Sequence, residues 1–99
     1  MRAHGLVKIV DDSVVIVMEF DSGEHAEDAL IALGSDWSIG TIHNRWLAWV
    51  GTFEEFQDTC MEVLMDFGAS RKSMNSLSKS GSKLSIDIPS FPKRISLLL

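Results

Sequence analysis

Ser13 to Phe20, SVVIVMEF, is apolar on both faces of a β-strand. Successive side chains of a strand point to opposite faces. Val14, Ile16, Met18 and Phe20 therefore share one face, and Val15 and Val17 share the other, with Glu19 ending it. A strand of this kind belongs in the middle of a sheet, covered on both sides. Leu6 to Val10 precedes it and is also rich in branched residues. Asp11-Asp12 between them favours a turn, so the two segments read as a β-hairpin. In a chain of 99 residues one layer of helices covers only one side of a sheet. The second side must meet a partner subunit, the C-terminal stretch or a ligand.

Two amphipathic segments supply the helical layer. In Thr52 to Gly68, Phe53, Phe56, Cys60, Val63, Leu64 and Phe67 recur at helical spacing, while Glu54, Glu55, Asp58, Glu62 and Asp66 fall opposite. Thr52 and Glu55 have the spacing of a capping box, and Gly68 can take the left-handed conformation that ends a helix. In Asp21 to Gly34 the apolar stripe is Ala26, Ala29, Leu30 and Leu33. Asp21 with Glu24 has capping-box spacing and Ser22 competes as the cap, while Ile31 falls among the outward acids. Ser35 to Gly51 reads as a second hairpin turning at His43-Asn44-Arg45. Its second strand puts Trp46, Ala48 and Val50 on one face and Leu47 and Trp49 on the other. Two tryptophans on opposite faces are hard to bury together in a two-layer fold, so one of them is expected at the surface.

Charge divides the chain. Residues 1–69 hold Arg2, Lys8 and Arg45 against thirteen Asp and Glu, whereas residues 70–99 hold six basic residues against Asp87 alone. An acidic body of 1–69 is thus followed by a Ser/Lys-rich basic stretch of 70–99, read as a flexible tail. Within it Leu84, Ile86 and Ile88 alternate with polar residues, which allows a short strand near 84–88, ended by Pro89. The expected fold is α+β in the order ββαββα. A mostly antiparallel four-stranded sheet carries two helices on one face, and the basic C-terminal tail is irregular.

The chemistry-bearing residues form no recognised constellation. His4, His25 and His43 lie at unrelated spacings and Cys60 is the single cysteine, so no metal-ligand pattern and no internal disulfide are expected. Cys60 falls in the apolar stripe, where a thiol is structural. Glycine-rich phosphate cradles are absent from the sequence. Ser76 with Lys79 and Ser80 with Lys83 match an S-x-x-K pattern, but a Ser/Lys-rich segment generates that match by composition. An enzymatic reading would need a cleft joining Asp36, His43 and Arg45. No cofactor is expected.

These features point to a small non-catalytic protein-interaction module, an inhibitor or adaptor. Its candidate contacts are an exposed Trp, Trp46 or Trp49, the uncovered surface of the sheet, or the acidic stripe Glu54, Glu55, Asp58, Glu62 and Asp66. From Glu55 to Asp66 that stripe runs ~17 Å. Trp is the residue type most enriched at binding hot spots. One alternative is nucleic-acid binding through Arg71, Lys72, Lys79, Lys83, Lys93 and Arg94 of the tail. Another is an acidic mimic of nucleic acid that blocks a DNA- or RNA-binding protein. A homodimer is expected from the two-sided strand and the modest core. The apolar run Val14 to Met18, which no other internal run exceeds, is too short to span a bilayer. The expected location is cytoplasmic, or the host-cell interior for a viral gene.

Overall fold

The structure, a computed structural model, describes residues 2–34, 37–39, 45–77 and 81–89. Strand β1 (Ala3–Val10) and strand β2 (Ser13–Phe20) form the expected hairpin, with Val10 opposite Ser13. Its two-residue turn places Asp11 at φ 55°, a left-handed conformation that Asp tolerates well. Helix α1 (Gly23–Leu33) follows, then the short strand β3 (Ser38–Ile39) and strand β4 (Trp46–Thr52). Helix α2 covers residues 53–66, helix α3 is Arg71–Asn75 and strand β5 is Lys83–Ile88. The strands lie in the order β3-β4-β2-β1-β5, and every neighbouring pair is antiparallel. As its two-sided pattern requires, β2 is the central strand.

The four expected antiparallel strands and the two main helices are present, and the sheet gains a fifth strand. That strand is built from the stretch read as tail. Its Ile86 and Ile88 are buried in the common core, as are Met74 and Leu77 before it. The boundary drawn after residue 69 therefore does not separate core-forming residues from the rest. The physical reason is local: Ser70 caps α3 by accepting from the Ser73 N–H (3.3 Å), and this turn carries Met74 inward. The second half of the expected second hairpin is β4. Its turn at His43-Asn44 lies outside the described residues, as do 90–99.

One face of the sheet is the floor of the core. Ala3, Val7 and Ile9, then Val14, Ile16, Met18 and Phe20, then Leu47 and Trp49, then Ile86 and Ile88 are all buried there. Helix α1 lays Ala26 and Ala29 against them, with Leu30 and Leu33 half-buried at the margin. Ser22 wins the cap of this helix by accepting from the His25 N–H (3.2 Å), so the Asp21–Glu24 box does not form. Ile31 is 63% exposed, as its position among the acids implies.

Helix α2 departs from a uniform α-helix. It starts as α over Phe53–Glu55, widens to a π-helical turn over Phe56–Cys60 and resumes as α over Met61–Asp66. In the π turn the Met61 N–H reaches the Phe56 carbonyl, and the Thr59 hydroxyl donates to the Glu55 carbonyl (2.9 Å). The extra residue rotates the C-terminal half of the helix, so Met61 is buried with Phe56, Cys60 and Leu64, while Val63 is only half-buried. The helix closes with Gly68 at φ 112°. The Gly68 N–H bonds to Met65 O, and the Ala69 N–H to Leu64 O (both 3.0 Å), which is a Schellman ending.

The tightest approach in the sheet is at Gly5, on the core face of β1. A Cβ there would stand 2.5 Å from the Val17 carbonyl oxygen and 2.9 Å from Met18 Cγ. Backbone as well as side chain must move to admit it. Gly5→Ala is expected to cost about 1–3 kcal/mol, as overpacking does. Each kcal/mol lowers the midpoint by roughly 4–8 °C in a domain of this size. Thermal melts of the two proteins check this, and an unchanged midpoint would show that β1 and β2 are not this close.

Candidate interaction surface

The second face of the sheet is built by the alternate residues of the same strands. Three cross-strand rows define it. The first runs Asp87, His4, Glu19, Trp46; the second Ser85, Leu6, Val17, Ala48; the third Lys83, Lys8, Val15, Val50. Its middle is apolar and its outline polar. Leu6, Val15, Val17, Trp46 and Ala48 are half-buried by their neighbours, while Val50 is 67% and Val10 47% exposed. Among the described residues no element forms a layer over this face.

Two depressions mark it. A groove of about 350 Å³ is lined by His4, Gly5, Leu6, Val17, Trp46 and Ser85. A more polar cleft of about 480 Å³ lies at the adjoining end, lined by Arg2, Ala3, His4, Glu19, Phe20, Asp21, Arg45 and Asp87. Polar side chains in the cleft pair with each other. His4 Nδ1 lies 3.0 Å from Asp87 Oδ1, and Arg45 donates from Nη2 toward Glu19 Oε2 at 3.4 Å, with all four side chains substantially exposed. The pairs fasten β5 to β1 and the start of β4 to β2. Ser85 sits two residues from Asp87 on the same face and lines the apolar groove together with His4. Arg45 is thus engaged by Glu19, and Asp36 and His43 lie outside the described residues.

The two tryptophans of β4 separate by face. Trp49 points into the core and is 5% exposed. Its indole folds back over Gly51, where a Cβ would stand 2.5 Å from the ring, and it packs 6.3 Å from the Phe56 ring centroid. Of the two, Trp46 is the one left at the surface, on the rim of the apolar groove. Trp37, which was no candidate, is also buried.

The acidic stripe is where the helical spacing put it. Glu54, Glu55, Asp58, Glu62 and Asp66 are all exposed on α2, and none pairs with a basic side chain among the described residues. Arg71 and Lys72 are exposed on α3 and Lys83 on β5, whereas Lys79, Lys93 and Arg94 lie outside the described residues. Cys60 is buried in α2. Among the described residues no three His, Cys, Asp or Glu side chains gather as a metal site would need, and no helix is long and apolar enough to cross a membrane. No protein-family model, curated protein or solved structure matches the chain.

One carboxylate of the stripe has a structural role. The Thr52 N–H donates to Glu55 Oε1 (2.9 Å) and the Glu55 N–H donates to Thr52 Oγ1 (3.1 Å). The Thr52 backbone N–H, and after it the Thr52 side chain, holds the Glu55 carboxyl below the usual carboxylate range. A carboxyl whose pKa is lowered by folding contributes stability that is complete above its unfolded pKa and fades as pH falls through the folded one. The box is therefore intact at neutral pH and lost on acidification below the ordinary value of 4.5. Thr52→Ala should cost about 1 kcal/mol, as cap removal does, and should move the Glu55 titration only part of the way back toward the ordinary range, because the backbone N–H at position 52, the larger cause, remains. Denaturant unfolding checks the first and side-chain carbon NMR titration the second; a Glu55 midpoint unaffected by the substitution would show that the box does not persist in solution.

Proposed function

We propose that the protein is a small non-catalytic interaction module that binds a protein partner through the open face of its sheet. The single observation that carries this reading is the half-exposed Trp46 on the rim of an apolar groove, on a face continuous with Leu6, Val15, Val17 and exposed Val50. Apolar sheet surface rimmed by charge is the composition of a binding patch. The partner this face suits presents an apolar side chain to the groove and polar groups to the paired charges at its end. An inhibitor or an adaptor would both work this way, by covering a partner's surface or by joining two partners.

The acidic face of α2 supports a second reading, in which the protein occupies a basic nucleic-acid channel on another protein. The observation in its favour is that its five carboxylates are exposed and none pairs with a basic side chain among the described residues. Closely spaced negative charge is also what a duplex presents.

One experiment separates the readings. Proteins captured from source cells by the tagged full chain are identified, and the binding of each is measured against two variants. In the sheet-face reading Trp46→Ala weakens binding by about 30-fold, the loss typical of a hot-spot residue. Combined reversal at Asp58 and Glu62 then leaves binding and its salt dependence unchanged. The opposite pattern moves the site to α2.

A further inference from the structure

The open edge of β5 carries more information than an unpaired strand usually does. The Ile9 N–H bonds to the Ser82 carbonyl at 2.9 Å, which sets the phase of the β1–β5 ladder. Hydrogen-bonded and non-hydrogen-bonded pairs alternate along an antiparallel pair. Leu84, Ile86 and Ile88, opposite Val7, Gly5 and Ala3, therefore turn their N–H and C=O groups toward β1. Lys83, Ser85 and Asp87 turn theirs outward. The two-residue β1–β2 hairpin gives the same phase independently, because Val10 and Ser13 flank its turn and must face each other. Among the described residues nothing pairs with these outward groups, and the ladder ends at Pro89, which has no N–H to offer.

We propose that this edge is the interface for a second copy of the chain, with β5 pairing antiparallel to β5 across a two-fold axis at Ser85. This goes beyond the sheet-face reading and does not depend on it. In that register Ser85 meets Ser85 of the partner subunit, Lys83 meets the partner's Asp87, and Asp87 meets the partner's Lys83. All three pairs bring outward-facing backbone groups together, giving about six interchain hydrogen bonds. Centring the axis one residue either way keeps only two such pairs, and one of those shifts also places Lys83 opposite Pro89. The segment Lys83-Leu84-Ser85-Ile86-Asp87 is self-complementary in charge about its centre, which is what an isologous interface requires.

A strain within the single chain favours the same arrangement. Lys83 stands directly opposite Lys8 on the open face of the sheet, and like charges so placed are unfavourable. The partner's Asp87 would flank Lys83 from its other side and offset that repulsion. The result is a continuous sheet of two five-stranded halves, with both apolar open faces on the same side. The edge also meets the need stated by its own chemistry: an exposed row of N–H and C=O groups is a template for pairing unless it is blunted, and here the edge charges are arranged to attract rather than to repel a second copy.

Sedimentation equilibrium of the full chain tests the proposal. The expected result is a concentration-dependent mass rising toward twice the 11.0 kDa of one chain. Ser85→Pro removes an N–H that the monomer's own ladder does not use, so it should leave the circular dichroism of the fold unchanged and abolish the dimer. Lys83→Glu and Asp87→Lys each make both symmetric charge pairs repulsive, and each should weaken association about tenfold. Mixed together, these two variants should associate as the wild type does. In the mixed pair the introduced glutamate meets the introduced lysine, and Asp87 meets Lys83. A wild-type chain that stays monomeric up to millimolar concentration overturns the proposal. So does a dimer that the charge variants neither weaken alone nor restore on mixing, since two copies would then be joined elsewhere. If Ser85→Pro fails to fold, the mixing experiment still decides.

Discussion

The burial of one face of β2 is the interaction on which the rest of the structure depends. Val14, Ile16, Met18 and Phe20 are buried to 2% exposure or less, and the buried residues of the other strands and helices join them in one core. Phe56 and Leu64 come down on the sheet from α2, while Leu47 and Trp49 extend the row into β4 and Val7 and Ile9 into β1. Burying side chains of this size is worth about 1.5–3 kcal/mol each. Among the described residues the buried side chains form one cluster built on this row. The close contact of Gly5 with Val17 and Met18 belongs to the same constraint: the sheet is drawn tight where its central strand meets β1.

The two faces of β2 are not treated alike. One helical layer exhausts what the described chain supplies, so Val15 and Val17 are sheltered only by the half-exposed Trp46, Ala48 and Leu6 around them. Trp49 and Trp46 show how parity turns into role. Both sit on β4, three residues apart, yet one completes the core against Phe56 and the other is left on the rim of a groove. The choice between them was made by the register with β2, which sets Trp49 opposite buried Ile16 and Trp46 opposite Glu19.

Features that depend on neighbours in sequence were legible in the sequence. The Asp11-Asp12 hairpin, the Thr52–Glu55 capping box and the glycine endings at Gly34 and Gly68 are each decided within a few residues. The open sheet face was legible too, because alternation in Ser13–Phe20 shows an apolar second side without showing what meets it. Three features were not. The π turn over Phe56–Cys60 rotates Met61 inward and Val63 outward, and no spacing rule in a regular helix anticipates a residue inserted into its turn. Ser22 and Asp21 offered competing caps, and only geometry chose between them. The role of β5 was hidden because its partner strand lies about 80 residues away, with Ala3 opposite Ile88. The serines and lysines around it give the composition of a linker.

Adding β5 changes where part of the basic stretch lies. As a tail, its charges would be free to fold back on the acidic helices or to reach for phosphates. As a strand, Lys83 is fixed on the sheet, on the side away from the helical layer. Helices α1 and α2 carry eight carboxylates and no Lys or Arg. Glu19 and Asp87 on the open face are matched by Arg45 and His4, with Lys8 and Lys83 in addition. Charge is thus segregated by layer. Two copies approaching helix to helix meet like charge, which costs them association. Copies or partners approaching the sheet meet apolar surface and charges of both signs. The helical layer therefore has two unlike sides: its inner stripe builds the core, and its outer acids face solvent.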